Sequence, residues 1–275
     1  MLPSCRCNPS VKNMPDTNTI SIKKEPSWLA RKIPGFIFYS NAVLSVVAAS
    51  QRVHKGIYST KNKIQSSLSI LKSLEYLGVD VKIENQAILS RLKSPCVFVS
   101  NHMSVLETFI FPCLIMPYKA YTVVLKRSLM RYPVFKHVLR SLDPIVVDRI
   151  NPRQDFRTVM EEGLANLKNN ISVLIFPQTT RELRFDPKKF NTLGIKLAKR
   201  GKVPVIPVAV KTDAWGMGRW AKDFGKFDPS KPVRVSFGEP VHISGNGKSE
   251  HRSTVDFIRT KLSDWETKAE IIWLN

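Results

Sequence analysis

The sequence predicts an α/β fold with a mainly parallel central sheet flanked by helices and an N-terminal membrane-associated helical pair. Three observations predict it. Six short apolar runs recur between residues 96 and 238, and most are continuous rather than alternating, the pattern of strands buried on both faces. Amphipathic segments of helical length separate them, and strand–helix alternation favours parallel pairing. Upstream, the stretch PGFIFYSNAVLSVVAA (34–49) is apolar and flanked on both sides by basic residues.

Residues 1–25 read as a flexible leader, polar and rich in Pro and Asn, with no apolar core of the kind a signal peptide needs. Residues 26–80 read as a helical, membrane-interfacial segment. The 34–49 stretch is interrupted by Ser40, Asn41 and Ser45 and falls short of the ~20 residues that a spanning helix requires. Lys23, Lys24, Arg31 and Lys32 precede it and Arg52 and Lys55 follow, which suits a helix lying in the headgroup layer of an anionic leaflet. Ile64, Leu68, Leu71, Leu74 and Leu77 then recur at three- and four-residue spacing, and Gly78 is a natural stop.

Residues 81–275 read as the α/β domain. Its strands are expected at CVFVS (96–100), YTVVL (121–125), PIVVD (144–148), SVLIF (172–176), VPVIPVAV (203–210) and VRVSFG (233–238). Helices are expected at about 104–117, 127–141, 153–169, 188–201 and 249–270.

Charge narrows the partners. Lys and Arg number 43 against 22 Asp and Glu, a formal charge of +21, which points to a polyanionic partner: nucleic acid, an anionic membrane or a phosphorylated substrate. The aromatics are not interleaved with the basic runs, and no RNP, zinc-finger or basic-zipper pattern is readable, so nucleic acid is not the expected partner. The four cysteines do not form paired C-x-x-C motifs and no metal site is expected; Cys96 and Cys113 sit in apolar runs as core residues, and Cys5 and Cys7 in the leader.

In open α/β sheets ligands gather beyond the C-terminal ends of the strands. That rule brings Asn101 and His102, Lys126 and Arg127, and Gln178, Thr179, Thr180 and Arg181 to one rim. His102 and Glu107 suit a base and its orienting carboxylate, although a capping histidine and a helix-start glutamate would give the same spacing. With no G-x-S-x-G elbow, direct attack by a substrate hydroxyl is simpler than a covalent intermediate. Basic stretches at 123–140 and 179–202 around this rim imply an anionic substrate, with Arg181 placed to grip a phosphate.

NHMSVLE, LKRSLMRYPVF, FPQTTR and VPVIPVAV resemble, in order and spacing, the four blocks of the glycerolipid acyltransferases, the family of the 1-acylglycerol-3-phosphate acyltransferases. The resemblance spans about residues 94 to 212. It implies transfer of a fatty acyl group from acyl-CoA or acyl carrier protein, as co-substrate with no further cofactor, to a lysophospholipid hydroxyl. It also implies His102 as general base, Glu107 as its acidic partner, Lys126 and Arg181 on the acceptor phosphate, Pro207 shaping the strand below, and N-terminal helices embedded in one leaflet at the cytoplasmic face. Three positions depart from the common pattern: Glu107 stands for Asp, and Gln178 and Thr179 stand for the Glu and Gly of F-P-E-G-T-R. They bear on the acceptor: lysophosphatidate is the default, with a lysophosphatidylethanolamine or lyso-ornithine lipid, or an inactive lipid-binding homologue, as alternatives.

Overall fold

A computed structural model of the chain describes residues 19–132, 135–178, 180–218 and 223–273, without the side chains of 135 and 268–273. The chain opens with β1 (Thr19–Ile22), α1 (Trp28–Lys32), α2 (Pro34–His54), α3 (Thr60–Tyr76), β2 (Val81–Glu84) and α4 (Ile88–Arg91). Next come β3 (Val97–Ser100), α5 (Leu106–Ile115), β4 (Tyr121–Lys126), a 3₁₀ turn (Arg127–Arg131), α6 (Phe135–Arg140) and β5 (Ile145–Val147). The rest is α7 (Pro152–Lys168), β6 (Ser172–Ile175), a 3₁₀ turn (Pro187–Lys189), α8 (Leu193–Gly201), β7 (Val205–Lys211), β8 (Val233–Phe237) and α9 (Lys248–Trp273).

All six apolar runs are strands. Five form a parallel block in the order β7-β3-β6-β4-β5; β8 runs antiparallel to β7, β2 lies parallel to β8, and β1 closes that edge antiparallel to β2. The strand side chains alternate between two apolar layers. Phe98 joins the layer holding α2, α3 and α5, whereas Val97 and Val99 join the layer holding α7, α8 and α9. Gly194 lets α8 approach β3: a Cβ there would stand 2.5 Å from Val99 Cγ2.

Several expectations need correction. Residues 19–22, expected inside the flexible leader, form the edge strand β1; Cys5 and Cys7 lie outside the described residues. β2 was not among the expected runs, because VKIE alternates: Val81 and Ile83 are buried, while Lys82 and Glu84 pair with each other at 3.2 Å on the wetter face. The segment 127–141 is not one helix. Tyr132 is extended ahead of Pro133, as the steric demand of proline dictates, and splits it into a 3₁₀ turn and α6.

Elsewhere the local signals hold. α3 ends where expected, with Gly78 at φ +77°, and it starts on a reciprocal Ser59–Asn62 capping box. α2 is 21 residues long, begins with Pro34 in its first turn, and carries Arg52 and His54 in its last. No helix among the described residues is long and apolar enough to cross a membrane. Phe38, Ala42, Ile70, Leu71 and Leu74 of α2 and α3 share one core with the sheet, so the helical pair is packed onto the domain. Cys96 and Cys113 are buried free thiols.

Candidate active site

The sheet places the chemistry by ending four parallel strands at one rim. At the end of β3, Asn101 turns into the protein and is fastened to β7: its amide donates to Val210 O at 2.8 Å, and its carbonyl accepts from Val210 N at 2.8 Å. The chain then leaves the sheet. His102 donates its N–H to Gln178 Oε1 at 2.9 Å and accepts at its carbonyl from Glu182 N at 2.9 Å, so the loops after β3 and β6 are tied together. Its ring stacks on Phe176 with centroids 4.2 Å apart.

Glu107, in the first turn of α5, is fully buried. Its Oε1 accepts from His102 Nδ1 at 2.7 Å, Met103 N at 2.7 Å and Ser104 N at 3.0 Å; its Oε2 accepts from Ser104 Oγ at 3.0 Å and Thr212 Oγ1 at 2.6 Å. Burial alone would push this carboxyl up, but the hydrogen bond and charge of His102 and the Thr212 hydroxyl outweigh it and hold it below its ordinary value. An ionised carboxylate on Nδ1 keeps the proton there and leaves Nε2 with its lone pair.

A cavity of about 500 Å³ opens from His102. It is lined by Tyr121, Val123 and Leu125 of β4, by Ala42 and Val46 of α2, and by Leu139 and Leu142. Lys126, Arg149 and Arg181 also line it: Lys126 is the last residue of β4, and Arg149 and Arg181 lie in the loops that follow β5 and β6. The site is therefore an apolar tunnel with a polarised histidine and several cations at its mouth.

Of the residues expected at the site, His102, Glu107, Lys126 and Arg181 are brought together, with Gln178 behind them holding the histidine backbone. Gln178 is buried and its Nε2 has no partner among the described residues. Four expected substrate-binding residues, Gln178 among them, do not line the cavity. Asn101 is spent on Val210; Arg127 pairs with Asp148 on the exposed side of the rim; Thr180 is exposed and bonds through its N–H to Gln178 O at 2.7 Å. Thr179 lies outside the described residues.

Sequence reasoning missed Ser104, Thr212 and Asp223. Thr212 follows the last residue of β7, so the strand-end rule would have found it had the run been extended by two residues. Asp223, which pairs with Arg181, lies in the β7–β8 connection and carries no local signal.

A sequence profile described as acyltransferase matches residues 80–211. The chain is 31% identical over 194 residues to a 1-acyl-sn-glycerol-3-phosphate acyltransferase of Pseudomonas aeruginosa, covering 70% of each chain. It is 33% identical over 139 residues to a protein of the same name from Saccharomyces cerevisiae, over 49% of this chain and 44% of that one. The crystal structure of the 1-acyl-sn-glycerophosphate (LPA) acyltransferase PlsC from Thermotoga maritima shares the fold, with a TM-score of 0.61 at 19% identity over 84% of this chain and 94% of that chain.

Proposed function

This chain belongs to the glycerolipid acyltransferase family, and from that premise we propose that it acylates 1-acyl-glycerol-3-phosphate to phosphatidic acid, taking the acyl group from acyl-CoA or acyl carrier protein. The observation that carries the reading is the His102–Glu107 pair, 2.7 Å apart, at the mouth of an apolar tunnel whose rim holds Lys126 and Arg181. The tunnel suits an acyl chain, and the cations suit the acceptor phosphate.

In this reading His102 Nε2 takes the proton of the acceptor hydroxyl as that oxygen attacks the thioester carbonyl. Glu107 stabilises the imidazolium that forms. The tetrahedral adduct collapses, the C–S bond breaks, and the imidazolium returns its proton to the departing thiolate.

Membrane association belongs to the same proposal. Trp28, Leu29, Ile33, Phe36, Val43 and Leu44 of α1, α2 and their junction are exposed apolar side chains beside Arg31 and Lys32. An unpartnered apolar strip with basic flanks suits insertion into one leaflet of an anionic membrane, here at the cytoplasmic face.

The test is to incubate the purified protein with acyl-CoA and a panel of lysolipids, lysophosphatidylethanolamine included, and identify products by mass spectrometry. Phosphatidic acid is the expected product, and His102→Ala abolishes it while vesicle binding and folding persist. Turnover retained in His102→Ala, or a product from another lysolipid alone, overturns the reading.

A further inference from the structure

Arg181, the cation assigned to the acceptor phosphate, already has a partner within the chain. Its Nη2 is ion-paired with Asp223 Oδ1, while its Nη1 is buried with no hydrogen-bond partner among the described residues. Arg181, Asp223 and Tyr132 all line the cavity with His102. The Tyr132 hydroxyl bonds the same carboxylate, which raises the phenol pKa. The backbone under Asp223 is anchored: Trp215 Nε1 donates to Asp223 O at 2.9 Å, and the Tyr39 hydroxyl of α2 donates to Gly225 O.

We infer that Asp223 is a built-in competitor for the acceptor phosphate at Arg181, an internal anion that the headgroup must displace; this rests on the proposed acceptor chemistry. Two observations carry it. The carboxylate uses one nitrogen of the guanidinium fork and leaves the other buried and unsatisfied, whereas a phosphate offers oxygens to both. The pair also stays open to water, with side chains 17% and 18% exposed, so the carboxylate has solvent to turn into once displaced.

The arithmetic of competition separates this role from a positioning one. An intramolecular competitor divides the affinity of every ligand that needs Arg181 by one common factor, the inverse of the fraction of time that the arginine is free. A carboxylate that merely aims the guanidinium would do the opposite, and its loss would weaken binding. Neutral acceptors, which do not use Arg181, would feel neither.

The experiment compares the parent with Asp223→Asn in acyl-CoA assays on lysophosphatidate and on a neutral 1-monoacylglycerol. Inorganic phosphate is titrated into both proteins by calorimetry, without donor. For a partly exposed pair the expected change is roughly fivefold. The KM for lysophosphatidate and the Kd for inorganic phosphate both fall by that same factor, with the monoacylglycerol KM unmoved. A rise or no change in either constant, or unequal factors, overturns the inference. If the parent does not acylate lysophosphatidate, the functional reading fails, while the phosphate titration still decides the role of Asp223. Should Asp223→Asn not fold, Tyr132→Phe removes one bond from the carboxylate and is expected to tighten inorganic phosphate by a smaller factor; weaker binding refutes the idea.

Discussion

Glu107 has five donors converging on two oxygens, and its length is what allows them all. One oxygen reaches the imidazole and two backbone amides, the other reaches hydroxyls on Ser104 and on Thr212 across the site. Shortening it by a methylene forces a choice between His102 and Thr212. Glu107→Asp is thus expected to lower kcat on the order of a hundredfold, read in steady-state assays. The charge state makes a second expectation. Because the folded-state pKa lies below the ordinary 4.5, ionisation favours the fold fully above pH 4.5, and that contribution is lost as pH falls through the lower folded value. Glu107→Gln should therefore be less stable than the parent at neutral pH, by about 3 kcal/mol, and the gap should narrow as pH falls below 4.5 in thermal melts. The 102–107 spacing was legible as a base and carboxylate. Thr212 was not, because its bond to Glu107 joins chain segments 105 positions apart in sequence.

At the scale of elements, the five strands of the parallel block and β8 were readable because burial on both faces leaves little room for polar residues. β1, at the edge, and β2, beside it, escaped because neither is apolar on both faces, and four residues of alternation look like loop. The basic 127–141 segment was misread for a different reason: its charges look helical, but the proline in its middle decides the backbone. Packing between α8 and β3 gives a sharper test. Gly194→Ala drives a methyl into Val99, one residue before the strand's last, and overpacking of that kind costs about 2 kcal/mol. A lowered melting temperature accompanied by reduced kcat would show that the strand leading to His102 has been pushed; an unchanged melt would show that the interface is softer than the close approach implies.

At the scale of the whole molecule, the +21 charge and the exposed side chains of α2 are expected to act together. Phe36 is 71% and Leu44 65% exposed, so Phe36→Asp with Leu44→Asp should abolish flotation with anionic vesicles and spare thermal stability. Parent binding should weaken as salt rises, since the basic flanks act through a screened field; retained flotation of the double variant would remove these helices from the contact. The sheet edge adds something that composition never hinted at. β1 and β2 lie side by side, with Thr19 opposite Glu84 and Ile22 opposite Val81, so the helices between them depart from and return to one place on the sheet. They are a handle with both feet bolted down, not a tether. In the proposed docking, a body held that way keeps His102 at one height over the lipid headgroups, and a lysolipid has to rise to meet it.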